Sequence, residues 1–336
     1  MALLDVRNLK VHYRTLRGAN RAVDGVSFTV EKGRSLGLVG ESGCGKSTTV
    51  NGIVRVMPKN AFIPEGEVLL NGTDLVSLPE SALRSIRWRE LSLIPQAAMD
   101  SLNPVYLVQD AFLEVLRLKG GMSKAEALDR AQHLFQLVGL DIRRLKNYPH
   151  EFSGGMKQRA AIALALALNP KLVIADEPVT ALDVIVQRQV LNEIRRLREQ
   201  LHISLIMITH DISVVAETCD DIAVMYAGKI VERGRTAAVL QNPLHPYTMG
   251  LKNAFPDIRR GRRTLISIEG APPSLLEPPA GCRFAERCPF ALDVCSDVEP
   301  TLEEAAAGQV AACHRLDEVD ELQTRAQEVE TWQNVI

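Results

Sequence analysis

The chain has 336 residues, enough for two domains or for one large domain with an appendage. Hydrophobic residues make up 46% and charged residues 24%, which excludes a mainly disordered or collagen-like chain. With 39 basic and 41 acidic residues the formal charge is −2, so no global basic field draws the protein to nucleic acid.

No apolar run approaches the ~18–20 residues that span a bilayer. The longest, Ala160 to Leu168, stops at Asn169-Pro170. Ala2-Leu3-Leu4 leads directly into Asp5, without the basic and apolar regions of a signal peptide, so a cytosolic chain is expected.

Along the first ~240 residues, strand-like and helix-like patterns alternate. Val26, Phe28 and Val30 alternate with polar residues as a half-buried strand does. Ser35 to Val39 is a short apolar run, followed by a Gly-rich turn and helix formers to Met57, with Pro58 as the stop. Ser123 and Glu126 form a capping box, and Gly139 closes that helix. Leu172–Ala175 and Ser204–Thr209 have the look of strands buried on both faces, with a helix from Val184 to Gln200 between them. This alternation predicts an α/β fold with a mainly parallel sheet. After about Gln241, prolines break the chain repeatedly and four cysteines cluster. From Leu316 a charged, helix-prone tail runs to Ile336.

Gly40-Glu41-Ser42-Gly43-Cys44-Gly45-Lys46-Ser47 fits the pattern of a phosphate-binding loop, between a predicted strand and a predicted helix. Its glycines let backbone N–H groups turn toward phosphate oxygens, and the helix points its positive end at them. Gly40, Ser42, Gly43, Cys44, Gly45, Lys46, Ser47 and Thr48 are therefore expected to bind ATP, with Lys46 on the β/γ-phosphates and Ser47 on Mg²⁺. Cys44 reads as a small filler of the loop. Downstream, Leu172-Val173-Ile174-Ala175 delivers Asp176 and Glu177 to the C-terminal end of a strand, where α/β sheets bind ligands. Asp176 is expected to hold Mg²⁺ through water, and Glu177 to act as general base on the attacking water.

Between these features, Phe152-Ser153-Gly154-Gly155-Met156-Lys157-Gln158-Arg159 resembles the signature sequence of ATP-binding cassette (ABC) ATPases. The resemblance implies an ABC cassette of the P-loop NTPase type, with a RecA-like core, an antiparallel β subdomain and a helical signature subdomain. In the same order, Tyr13 resembles the aromatic residue that stacks on adenine, and Gln96 the Q-loop glutamine that also reaches Mg²⁺. Ala181-Leu182-Asp183 resembles the D-loop, and His210 the switch histidine at the γ-phosphate. The resemblance further implies a head-to-tail dimer in which Ser153 and Gly155 contact ATP held by the partner's loop. Met156 departs from the usual Gln there.

His245-Pro246-Tyr247-Thr248, the Pro-rich stretch and the clustered cysteines resemble the C-terminal extension of oligopeptide, dipeptide and nickel importer ATPases, most of all the D-type subunit. That implies a nucleotide-binding domain over 1–240 and an extension over 241–336. It also implies a peripheral place on the cytoplasmic face of the inner membrane. The implied partners are two permeases, an F-type second ATPase and an extracytoplasmic binding protein, with no nucleic acid. The 97–120 stretch after Gln96 is then the groove for a permease helix. Peptide is the implied cargo; oligosaccharide or nickel import, and a soluble non-transport ATPase, are the alternatives.

Cys282, Cys288, Cys295 and Cys313 are separated by five, six and seventeen residues. Structural zinc favours pairs two to four residues apart, so the spacing predicts a 4Fe-4S cluster, with Zn²⁺ or unliganded buried cysteines as the alternatives. Cys288-Pro289 suits a cluster ligand, and a proline-rich segment with few large apolar residues needs a staple. Related importer subunits share the pattern.

Overall fold

The computed structural model describes residues 2–96, 101–180, 182–254 and 268–333. Ala97 and Met99 of the expected permease groove and Ala181 of the expected D-loop lie outside the described residues.

In chain order the described residues form strands β1 (Ala2–Thr15), β2 (Gly18–Glu31) and β3 (Ser35–Val39), then helix α1 (Lys46–Val54). Strands β4 (Ala61–Phe62), β5 (Glu67–Leu70) and β6 (Thr73–Asp74) lead to α2 (Glu80–Ile86) and β7 (Leu91–Ile94). Helices α3 (Val108–Glu114), α4 (Lys124–Leu137) and α5 (Gly154–Ala165) precede β8 (Leu172–Asp176). There follow α6 (Val184–Leu201), β9 (Ser204–Thr209), α7 (Ile212–Thr218), β10 (Asp221–Tyr226) and β11 (Lys229–Arg235). The remainder gives α8 (Thr236–Gln241), α9 (Pro246–Asn253), α10 (Val294–Asp297), β12 (Glu303–Ala306), β13 (Gln309–Ala311), α11 (Val319–Arg325) and α12 (Val329–Gln333).

The chain divides into two compact units. One is built from Met1–Leu3, Val30–Ser35 and Ser77–Ile208, the other from Leu4–Thr29, Leu36–Val76 and Thr209–Ile336.

In the first unit, β8 pairs in parallel with β7 on one side and β9 on the other. Leu172, Ile174, Ile206 and Ile208 are fully buried, as continuous apolar runs in a two-faced parallel sheet must be. The expected capping box starts α4: Ser123 Oγ accepts the Glu126 N–H, and the Glu126 carboxylate accepts the Ser123 N–H. Gly139, with φ +67°, follows this helix, a conformation that favours glycine. Phe112 of α3 meets Phe135 of α4 edge-on at 5.5 Å, sealing the helical part of the unit.

In the second unit, β1 pairs antiparallel with β4 and β5, and β5 with β6. Here β10 runs parallel to β3 and antiparallel to β11, and β13 extends the ladder from β11. The sheet that holds β3, β10 and β11 is therefore mixed, whereas β1, β4, β5 and β6 pair antiparallel. Helix α1 stops at Val54, earlier than the run of helix formers suggested. Arg55 adopts a left-handed conformation there, and its N–H bonds back to the Gly52 carbonyl.

The C-terminal residues build their core by packing on β10 and β11. Tyr226, Tyr247 and Phe284 form a buried aromatic group with ring centroids 4.7–5.4 Å apart. Glu232 of β11 is fully buried and accepts hydrogen bonds from the Leu244 and His245 N–H groups and from Gln309 Nε2. Burial pushes its carboxyl upward, and these donors oppose that push. His245 caps α9, its Nδ1 accepting the Tyr247 N–H, and burial pulls its pKa down to about 3. The ring is therefore neutral, with its proton on Nε2.

The expected metal centre is corrected here. Cys282, Cys288, Cys295 and Cys313 are free thiols around one small cavity of about 20 Å³. Among the described residues no group of three or more Cys, His, Asp or Glu side chains is gathered as a metal ion requires. Neither the 4Fe-4S cluster nor the Zn²⁺ alternative is therefore supported. Burial lifts the Cys282 thiol to about 11, and raises Cys288 and Cys313 as well. Backbone N–H groups reach the sulfurs instead, Leu292 to Cys295 and Arg315 to Cys313, each at 3.5 Å. Spacing along the chain does not specify whether the fold gathers side chains in the arrangement that a metal ion requires.

Candidate functional site

The residues singled out from the sequence fall into both units. Gly40–Thr48, Tyr13 and His210 belong to the second; Gln96, Ser153, Gly155, Asp176, Glu177 and Asp183 belong to the first.

The loop after β3 has the geometry of a phosphate cradle. Gly43 and Gly45 take φ +80° and +106°, left-handed conformations that favour glycine in a tight phosphate-binding turn. A Cβ on Gly45 would meet the Ala22 carbonyl at 2.4 Å, and one on Gly40 would meet the Met225 carbonyl at 2.1 Å. Both glycines are therefore needed for the loop to pass its neighbours. Lys46 opens α1 and is 5% exposed, with Nζ donating to the carbonyls of Gly40 (2.7 Å) and Glu41 (2.9 Å). Those bonds hold its ammonium inside the loop. Ser47 and Thr48 follow on the first turn, half-buried, and Thr48 Oγ1 lies 3.1 Å from the Tyr13 hydroxyl. Cys44 is 1% exposed, and burial raises its thiol, consistent with a filler rather than a nucleophile. The residues present fit a nucleotide's phosphates: an N–H-lined loop, a helix start and one enclosed cation.

The acidic pair ends β8. Asp176, 7% exposed, pairs in register with Ile208, and the chain then turns sharply at Glu177. Glu177 has φ +48°, a left-handed conformation that costs a non-glycine residue roughly 1–2 kcal/mol. The turn is pinned by the Glu177 N–H donating to the Ile208 carbonyl at 2.9 Å. It is pinned also through the carboxylate, where Oε2 accepts from Gln96 Nε2 at 2.9 Å and from Thr180 Oγ1 at 3.1 Å. The structure thus brings Gln96 and Glu177 together. His210 follows β9 directly and is exposed.

Two capped helices carry the rest of the first unit's candidates. Ser153 is the N-cap of α5, with Oγ accepting the Met156 N–H at 3.3 Å. Asp183 is the N-cap of α6 and accepts the N–H groups of Ile185 and Val186. Gly155 faces α6, where a Cβ would come within 2.6 Å of Val186 Cγ1. Glycine at this position lets the two helices approach.

Two residues far along the chain, Tyr247 and Arg287, reach the phosphate loop through Glu41. Glu41 presents its backbone N–H to the Tyr247 hydroxyl at 2.9 Å. Its carboxylate takes two bonds from Arg287, at 2.9 and 3.1 Å. Tyr247 and Arg287 lie 206 and 246 residues beyond Glu41, and no local pattern links such distant positions. The nearest signal is His245-Pro246-Tyr247-Thr248, which marks the family without announcing this contact.

A sequence model of the ABC transporter family matches residues 23–180. One of the oligopeptide/dipeptide transporter C-terminal region matches 231–295. The chain is 49% identical over 321 residues to a probable peptide ABC transporter ATP-binding protein, y4tR, of Sinorhizobium fredii, covering 94% of this chain and 96% of that one. It is 44% identical to the oligopeptide transport ATP-binding protein OppD of Escherichia coli, covering 94% and 93%. It is also 44% identical to the dipeptide transport ATP-binding protein DppD of Lactococcus lactis, covering 94% and 91%. Among solved structures, it resembles the dimeric post-hydrolysis state of the ATP-binding cassette MJ0796 bound to ADP and Pi. That match has a TM-score of 0.62 at 26% identity, over 69% of this chain and 98% of the other. Among the described residues no helix is long and apolar enough to cross a membrane.

Proposed function

Because this chain belongs to the ABC transporter ATP-binding proteins, as an ABC ATPase with an oligopeptide/dipeptide-type C-terminal region, we propose that it powers uptake of peptides through partner permeases. The observation that carries the reading is the coexistence in one chain of an ABC cassette and that C-terminal region, with relatives matched over more than nine-tenths of their length. These relatives favour peptide cargo over oligosaccharide, nickel or a non-transport role. We read 1–240 as the nucleotide-binding domain, with its RecA-like core, antiparallel β subdomain and helical signature subdomain, and 241–336 as the extension.

In this reading Lys46 neutralises charge on the β/γ-phosphates, aided by the N–H groups of the Gly40–Thr48 loop. Tyr13 stacks on the adenine. Ser47, Asp176 and Gln96 would hold Mg²⁺, which when bound supplies positive charge between the phosphate oxygens. Glu177 takes a proton from the attacking water, and Gln96 and Thr180 fix the carboxylate that does so. His210 contacts the γ-phosphate. Ser153, Gly155 and Asp183 serve the opposing nucleotide of a head-to-tail dimer, whose second member is an F-type ATPase. Closure on ATP and opening after hydrolysis are passed to two permeases through 97–120, at the cytoplasmic face of the membrane, with cargo handed over by an extracytoplasmic binding protein.

Uptake of a labelled tripeptide by cells tests the reading. Replacing the native chain with Lys46→Ala is expected to abolish uptake while the permeases remain in the membrane. Undiminished peptide uptake in cells lacking the chain would overturn it.

A further inference from the structure

We infer that the C-terminal segment is a clamp on the phosphate loop, with Arg287 and Tyr247 as positioning residues for nucleotide binding. The inference rests on the reading that Gly40–Ser47 binds the phosphates, and it adds a second source of order to that loop.

Arg287 lies on the turn between Cys282 and Cys288, and its side chain is 6% exposed. All five of its donors are engaged. Two bonds go to the two carboxylate oxygens of Glu41, in the fork geometry that only an arginine offers. One goes to the Tyr226 hydroxyl at 3.1 Å, and the others to the carbonyls of Ile268 and Glu269. The guanidinium therefore cannot shift without breaking several bonds at once. Tyr247, fully buried against Tyr226 and Phe284, accepts the Glu41 N–H.

Glu41 is thus fixed through both its backbone and its side chain. The Glu41 carbonyl in turn accepts from Lys46 Nζ, so the clamp reaches the phosphate-binding cation through one residue. A parallel contact holds the far side of the loop. The Gly228 N–H donates to the Cys44 carbonyl at 2.9 Å, and Arg283 donates to the carbonyl of Ala227, next to Gly228. Arg283 is paired on its other face with Asp24. A glycine-rich loop loses much conformational entropy when it orders around a ligand, and these contacts remove part of that cost beforehand.

Losing the clamp should therefore weaken binding more than it slows chemistry. The test uses the full chain with MgATP turnover and ADP affinity as readouts. Arg287→Ala is expected to raise KM for ATP and Kd for ADP about tenfold, with kcat changed less than about threefold. Glu41→Ala, which leaves the bonds from Arg287 to Tyr226, Ile268 and Glu269 in place, is expected to act the same way. The double variant should be no worse than Arg287→Ala alone, because both substitutions cut one contact. Arg287→Lys should restore only part of the affinity, since an ammonium cannot bridge both oxygens. Unchanged KM and Kd in both single variants, or fully multiplied losses in the double variant, would overturn the clamp. Lys46→Ala measured alongside separates the two readings. If it lowers ADP affinity and the clamp variants do not, the clamp alone fails; if it leaves affinity unchanged, the phosphate-loop reading falls and takes the clamp with it.

Discussion

Gln96 Nε2 donates to Glu177 Oε2 at 2.9 Å, across 81 residues of sequence. The first lies just after β7 and the second just after β8, and the parallel pairing of those strands brings their C-terminal ends side by side. The carboxylate proposed as general base is therefore aimed by a neighbour on the adjacent strand end. That neighbour also precedes, in sequence, the 97–120 stretch proposed to meet a permease.

If Gln96 orients Glu177, Gln96→Ala should lower kcat by about 10- to 100-fold with little change in nucleotide affinity. Steady-state ATPase assays with parallel ADP titration check this. An equal loss in affinity would mean that Gln96 acts on binding instead.

Lys46→Ala removes the enclosed ammonium of the phosphate loop. Charge-assisted hydrogen bonds are worth ~1.5–3 kcal/mol, so the affinity for ADP, which keeps the β-phosphate, should fall about 10- to 100-fold. Calorimetric titration of ADP onto the purified chain reads the loss directly.

Gly155→Ala places a methyl group where Val186 Cγ1 stands, 2.6 Å away. Overpacking of this kind costs about 1–3 kcal/mol, so the thermal midpoint should drop. Combining it with Val186→Ala should recover most of the loss, which distinguishes a clash between α5 and α6 from a general intolerance at Gly155.

His245 predicts a pH dependence. Its pKa falls from the ordinary 6.5 to about 3 in the folded chain, so the unfolded form takes up the proton first. Stability from this group is complete above 6.5 and is lost progressively as pH falls toward 3. By about pH 5 the loss should reach ~2 kcal/mol. Buried Glu232, raised by burial, acts in the opposite direction, so the group must be isolated by comparison with His245→Asn. Hydrogen exchange at Leu244–Tyr247 in the two chains, compared at each pH, should show protection in the native chain falling relative to the variant as pH is lowered. A constant ratio would contradict the assignment of a neutral, buried His245.

Local features were legible in the sequence because local interactions make them. The capping box at Ser123, the glycine at 139 and the buried strand leading to Asp176 stand where their chemistry placed them. The strand, glycine turn and helix around Gly40–Ser47 were legible for the same reason. The bridge from Arg287 to Glu41 was not, since nothing near either residue announces a partner 246 positions away. The C-terminal core was equally hidden, since its aromatic group is completed by Tyr226 of β10. The cysteines show the reverse failure. Their clustering suggested metal ligation, whereas the fold leaves them as free thiols around a small cavity.

The central claim is that Glu177 is the base of an ATPase whose nucleotide is held by other residues. Single-turnover hydrolysis of MgATP by Glu177→Gln, with ATP binding measured on the same sample, tests it most directly. Hydrolysis is expected to fall by about 100-fold or more while affinity stays within about threefold, because Lys46, Ser47 and Asp176 are untouched. Near-native hydrolysis by Glu177→Gln would contradict the account.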